Sequence, residues 1–139
     1  MQQQLNEFVV STRGVGAHEF TSEVCEWVAR SQISEGLLTL HVQHTSASLV
    51  IMENADPEVM DDLQRFLDRL VPHGDPLYRH TAEGPDDMPA HVRTALTMTS
   101  LSIPVRGGRP VLGTWQGIWL LEHRTHSHRR RIAGHLLGE

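Results

Sequence analysis

Residues 37–51 read Leu-Leu-Thr-Leu-His-Val-Gln-His-Thr-Ser-Ala-Ser-Leu-Val-Ile. Leu38, Leu40, Val42 and His44 share one parity, and Thr39, His41 and Gln43 share the other. Alternate side chains of a strand face opposite sides of a sheet, so this pattern predicts a strand with one buried face. It places His44 inward beside three aliphatic residues and His41 toward solvent. Thr45 to Ser48 follow as a run of small residues, which permit close backbone approach and set hydroxyl groups beside His44.

On the N-terminal side, residues 3–11 alternate and include Phe8, Val9 and Val10, predicting a first strand broken by Gly14 and Gly16. Thr21 or Ser22 is placed to cap a helix over about 22–32 with Val24, Trp27 and Val28 on its buried face. On the C-terminal side, Asp56-Pro57-Glu58 has the order of a helix start: a cap, a proline in the first turn and an acid near the N-terminus. Val59, Leu63, Phe66, Leu67 and Leu70 would form its apolar stripe. A third helix is expected from Asp86 or Asp87, with Pro89 and His91 in its first turn, where backbone N–H groups favour a nearby anion.

Leu101 to Val105 alternates as a strand, and Gly107-Gly108 is a two-residue hairpin signal. Trp115 to Glu122 predicts another strand. Gln116, Ile118, Leu120 and Glu122 share one face of it, suggesting a cavity lined by polar groups at both ends. The run from His123 to Arg131 is the most basic in the chain and is expected to turn between this strand and a last one ending near Leu137.

The chain of 139 residues suits one domain, residues 1–139. A net charge of −5 argues against a generic nucleic-acid binder. All 12 basic residues are arginine, and the single cysteine, Cys25, excludes an internal disulfide or a cysteine-rich zinc site. No apolar run has the length of a membrane span, and the N-terminus lacks the pattern of a signal peptide, so a soluble cytoplasmic protein is expected.

Chemistry concentrates in residues 78–91, Tyr-Arg-His-Thr-Ala-Glu-Gly-Pro-Asp-Asp-Met-Pro-Ala-His. A loop that only connects elements has no special use for His80 and His91 around Glu83, Asp86 and Asp87. Imidazole nitrogens and carboxylate oxygens are ligands for a borderline divalent metal such as zinc.

The segments His44-Thr45-Ser46-Ala47-Ser48, Asn54-Ala55-Asp56-Pro57, Tyr78-x-His80, Glu83-Gly84-x-Asp86-Asp87-Met88-Pro89-Ala90-His91 and Gly113-Thr114-Trp115-Gln116-Gly117-Ile118, followed by Glu122, occur in that order. Together they resemble the YjbQ-like family of secondary thiamine-phosphate synthase-type proteins, from about Phe8 to Gly138. The resemblance implies an α+β fold with a curved, largely antiparallel sheet or sandwich and about three helices, assembled as a homotrimer. It also implies a divalent metal, zinc in the first instance, held by His44, His80 and His91.

The activity so implied joins a hydroxymethylpyrimidine diphosphate to a thiazole phosphate, so the expected partner is a small phosphorylated heterocycle. In that scheme Glu83, Asp86 and Asp87 orient the histidines or act as a base. Gln116 and Glu122 orient the heterocycle, Trp115 or Trp119 stacks on it, and Arg130 clamps a phosphate. Two other classes fit the same residues: a metal-dependent phosphoester hydrolase, and a non-catalytic trimer that binds a metal or a phosphorylated ligand.

Overall fold

Strands dominate the computed structural model, which describes residues 1–139. In chain order the elements are β1 (Gln2–Ser11), β2 (Gly16–Glu19), α1 (Thr21–Ser31), β3 (Glu35–Val42), β4 (Ala47–Glu53), α2 (Pro57–Leu70), α3 (Asp87–Leu96), β5 (Ser100–Arg106), β6 (Arg109–Pro110), β7 (Gln116–Glu122) and β8 (Arg129–Gly138). Five strands form one sheet in the order β1-β8-β3-β5-β6, and three form a second in the order β2-β7-β4. Every pairing is antiparallel. The α+β class with antiparallel sheets and three helices is as expected.

The inner faces of both sheets and one side of α1 close on a common core that includes Leu38, Leu40, Val42, Leu49, Ile118 and Ile132. The parity of residues 38–42 is thus observed, and each such side chain contributes about 1.5–3 kcal/mol by leaving water. Trp27 meets Phe8 edge-on at 5.6 Å between ring centroids, fixing α1 against β1. The β5–β6 hairpin turns on Gly107 and Gly108 at φ 58° and 70°, a left-handed conformation that residues with a Cβ seldom adopt. No helix is long and apolar enough to cross a membrane.

Several local expectations give way. Residues 37–51 are two strands, because the chain leaves the five-stranded sheet after Val42 and enters the three-stranded one at Ala47. His44 lies in that break and is half-buried. The basic run crosses between the same sheets in the opposite direction, from β7 to β8, and is not a hairpin. Neither Thr21 nor Ser22 caps α1. The Thr21 hydroxyl instead accepts the Ile118 N–H at 2.8 Å and donates to Glu19 Oε2 at 2.7 Å, tying β2 and β7 to the helix start. The short strand β2 has no clear alternation to reveal it. Asp56 does cap α2, accepting the Glu58 N–H at 2.9 Å. Only Met60 and Leu67 of that helix are buried, while Phe66 and Leu70 are about half exposed, at 49% and 55%.

Candidate metal centre

The two crossings between the sheets meet at one corner, where β4 and β7 begin and end on the pair Ala47–Glu122. Backbone that leaves a sheet loses its ladder partners, and buried N–H and C=O groups need replacements. Side chains supply them here. His44 Nε2 accepts the Arg131 N–H at 2.8 Å, and Arg130 Nη2 donates to the Ser46 carbonyl at 3.2 Å. Glu122 Oε1 accepts the Arg124 N–H at 3.0 Å, and the Thr12 hydroxyl accepts the His128 N–H at 3.1 Å.

The loop of residues 71–86 and helix α3 pack onto this corner. Gly84, at φ 105°, makes the turn that returns the chain toward α3, and its N–H donates to the Thr81 carbonyl at 3.1 Å. Asp86 occupies the cap position of α3 without capping it. Its Oδ2 instead accepts from Arg124 Nε at 2.9 Å, from the Thr125 N–H at 2.9 Å and from the Thr125 hydroxyl at 3.1 Å. Those bonds clamp the loop to the β7–β8 crossing.

Asp87 opens α3, and His91 follows one turn later, so both side chains project from the same side of the helix. His91 is therefore beyond the first turn, and its ring faces a carboxylate where the sequence suggested an anionic ligand at the helix end. Asp87 Oδ2 lies 2.6 Å from His80 Nε2 and 3.1 Å from His91 Nε2. These three side chains bring their ligand atoms within 4.8 Å of one another.

The protons of this cluster follow from its partners. His91 Nδ1 lies 2.8 Å from the Thr45 carbonyl, which only accepts, so Nδ1 carries a proton. In a neutral ring Nε2 is then a lone pair, directed at Asp87 Oδ2. Burial alone would raise the Asp87 pKa, but hydrogen bonding to His80 and the charges of His91 and Arg124 outweigh it and hold the carboxyl below its ordinary value. A lone pair facing a carboxylate is repulsive, so this geometry requires a cation between them: a proton on Nε2 or a metal ion.

Arg124 completes the cluster from the other side. Its Nη1 forms an ion pair with Asp87 Oδ1 at 2.8 Å and its Nη2 donates to the Glu83 carbonyl at 3.2 Å, in addition to its bond to Asp86. Its own pKa is raised, first by the Asp86 hydrogen bond. Asp86 is pushed far below the usual carboxylate range: its bonds to Thr125 and Arg124 overcome the opposing effect of burial. Arg124 is the site residue that the sequence reading missed. It lies in a run whose composition suggests a solvated turn, yet its side chain is 13% exposed.

The other expected site residues are scattered. His44 is not among the converging ligand atoms, and its Nε2 is held by Arg131 N–H. Burial, followed by the charge of Arg130, lowers its pKa and keeps it neutral. Glu83 is exposed but stays at the cluster: its carbonyl accepts from Arg124, and its carboxyl is among the groups that lower the Asp87 pKa. Gln116 stands six residues along β7 from Glu122, about 20 Å away at strand rise. It is exposed, and its Oε1 accepts the Gly113 N–H at 2.7 Å, closing a turn and not lining a cavity.

Glu122 is fully buried, and Arg130 is 3% exposed. Arg130 donates to both Glu122 oxygens and to Ser46, so it holds an internal carboxylate and does not stand ready to clamp a phosphate. Burial pushes the Glu122 pKa up, but Arg130, the Arg124 N–H and Thr12 together bring it below its ordinary value. Trp115 is largely exposed, and Trp119 donates its indole N–H to the Met52 carbonyl at 3.1 Å.

Two antiparallel sheets with a histidine–carboxylate cluster at their shared corner define the class: a small α+β protein with a candidate metal centre. The chain belongs to the UPF0047 protein YjbQ-like family, whose model matches residues 6–139. UPF0047 protein sll1880 of Synechocystis is 51% identical over 131 residues, covering 94% of this chain and 89% of its own. UPF0047 protein YjbQ of Escherichia coli O157:H7 is 47% identical over 131 residues, covering 94% of each chain. The crystal structure of hypothetical protein APE1520 from Aeropyrum pernix superposes with a TM-score of 0.89 at 33% identity, covering 98% of this chain and 99% of that one.

The family expectation is thus established, while the expected reaction is not. These relatives are named by family alone, without a thiamine-phosphate synthase activity. The residues assigned to that reaction also fail to assemble, with Gln116 distant and Arg130 sealed.

Proposed function

We propose that the protein binds one divalent metal ion, zinc in the first instance, through His80 Nε2, His91 Nε2 and Asp87 Oδ2. The observation that carries this reading is the His91 hydrogen bond to the Thr45 carbonyl. Such an outer partner fixes the tautomer that leaves Nε2 as a ligand, as is usual for metal-bound histidines. Two histidines and one carboxylate form a ligand set of catalytic zinc sites, which keep a coordination position open. Ligand atoms around tetrahedral zinc stand about 3.3 Å apart, so His80 and Asp87 need separate by less than 1 Å from their present hydrogen bond. When bound, the metal supplies Lewis acidity to an oxygen or nitrogen of a small ligand. His80 is the partly open side of the cluster, with 46% of its side chain exposed. Arg124 holds the second oxygen of Asp87 and so aims the first.

Metal analysis of untagged protein tests this directly. The parent should carry about one zinc per chain. His80→Ala, His91→Ala and Asp87→Asn should lose it, and His44→Ala should keep it. Zinc retained by both His91→Ala and Asp87→Asn would refute the centre. Loss in His44→Ala as well as in His80→Ala and His91→Ala would restore the ligand that the sequence suggested.

Assembly is a second reading with its own support. Leu37 and Leu137 are paired across β3 and β8 on the outer face of the five-stranded sheet and are 47% and 40% exposed, with Leu5 nearby on β1 at 79%. Exposed leucines on one face of a sheet, like these, suggest an interaction surface, and the family resemblance supplies the number of subunits, three. Light scattering should give three times the chain mass, with Leu37→Lys shifting the species toward monomer. A monomer at all concentrations would sink the assembly.

A further inference from the structure

A cleft of about 340 Å³ opens beside His80, between the loop after α2 and the start of α3. That volume suits a small molecule of one or two rings. Pro76, Tyr78, Pro85, Met88 and Pro89 supply half of its ten lining residues. The only charged or titratable groups in the lining, apart from the phenol of Tyr78, are Asp75 and His80. Asp75 Oδ1 accepts the Leu77 N–H at 2.9 Å, leaving its second oxygen for a ligand. No arginine lines the cleft. Arg124, the nearest cation of the cluster, has Nε, Nη1 and Nη2 committed to Asp86, Asp87 and Glu83.

We infer that this cleft takes a planar small molecule that is neutral or cationic, with its ring against Tyr78 and the prolines and its donor group toward Asp75. With no metal bound, a phosphorylated molecule does not fit: its dianion would meet a carboxylate and no fixed positive charge, and desolvating it against proline and methionine is unfavourable. A protonated amine or a hydroxyl finds an acceptor in Asp75, and proline and tyrosine faces accommodate a flat ring. The inference deepens the proposed metal centre by naming the class of ligand that would lie beside it. It rests on that centre for what lies at the His80 end, and the ranking of ligands by charge is that of the metal-free cleft, since an ion on His80 would add positive charge there.

Tyr78 is the only tyrosine in the chain. Protein labelled with 3-fluorotyrosine therefore gives a single ¹⁹F resonance that reports on the cleft. The probes are benzylamine, benzyl alcohol and benzyl phosphate, titrated into metal-stripped protein. Benzylamine and benzyl alcohol should each shift the resonance saturably, with benzyl phosphate weaker by about tenfold or more, as expected for a like charge at close range. Asp75→Asn should reduce benzylamine binding to the level of benzyl alcohol and leave benzyl alcohol unchanged.

Benzyl phosphate binding as tightly as the alcohol would overturn the inference, as would a resonance that no probe moves. Metal-stripped protein keeps the two proposals separable. Failure to bind zinc removes the centre and leaves the ranking of probes standing, whereas a reversed ranking removes the cleft assignment and leaves the zinc result standing.

Discussion

Two arginine–carboxylate clusters sit a few residues apart in sequence and behave differently. Arg130 and Glu122 are sealed, with side-chain exposures of 4% and 0%, and every contact they make is internal. Arg124 pairs with Asp86 and Asp87 just as closely, but Asp87 passes its other oxygen to two histidines, one of them 46% exposed. The first cluster holds two strands together where they leave their sheets. The second uses the same chemistry to hold a carboxylate still at the edge of solvent. What separates structure from site here is whether a polar group has a lone pair left to offer.

The sharpest way to break the comparison is at the sealed pair. Arg130→Met leaves the Glu122 carboxylate buried without its partner, and unfolding by denaturant should show a loss of about 3–5 kcal/mol. Adding Glu122→Leu should recover most of that loss, because removing both charges also removes the burial penalty. An Arg130→Met protein as stable as the parent would show that the pair is not the brace described.

pH separates the regions next. His123 is fully buried next to Arg124, accepts or donates one bond with the Ser48 hydroxyl at 2.8 Å, and has its pKa lowered to about 4 by burial and then by Arg93. The unfolded chain therefore binds a proton near pH 6.5 that the folded chain refuses until about pH 4. Its contribution is fully present above pH 6.5 and should fall by at most about 3 kcal/mol as the pH drops through that window. Asp86 and Glu122, with lowered pKa values, lose their contribution only at lower pH, once the unfolded carboxylates protonate near pH 4 and below. Stability measured from pH 7 to 3 should decline in two stages, and His123→Gln should remove most of the first, leaving the smaller part that the lowered pKa of His44 contributes. A flat profile above pH 4.5 in the parent would contradict the buried neutral imidazole.

Arg124→Gln addresses the open cluster. Asp87 would lose the contact that aims it, and zinc affinity should fall about 10- to 100-fold by competition with a chelating dye. The smallest effect is expected at His44→Ala. The Arg131 N–H would lose its acceptor, costing about 1 kcal/mol of stability, with zinc affinity within twofold of the parent.

Much of the fold was legible before the structure. The parity of residues 38–42, the Asp56-Pro57 helix start and the Gly107-Gly108 hairpin are local features, and each element formed where local chemistry placed it. The candidate site was half legible. His80, His91 and Asp87 lie within twelve residues, so one loop and one helical turn suffice to bring them together. His44 was extrapolated from a strand that ends two residues before it, and parity has no meaning once the strand stops.

Composition and spacing by themselves determined that the chain makes alternating strands and amphipathic helices and carries a histidine–carboxylate loop, while its ordered motifs resemble those of the YjbQ-like proteins. Tertiary structure alone decided which arginine guards the site and which is interred. Arg124 and Arg130 are both written in one basic run, and nothing local distinguishes them. Their fates follow from the crossing between two sheets, which turns Arg130 inward onto Glu122 and carries Arg124 across to the helix of Asp87. Pairings between residues 38 to 84 positions apart are set by the closing of the fold, and no periodicity in the sequence encodes them.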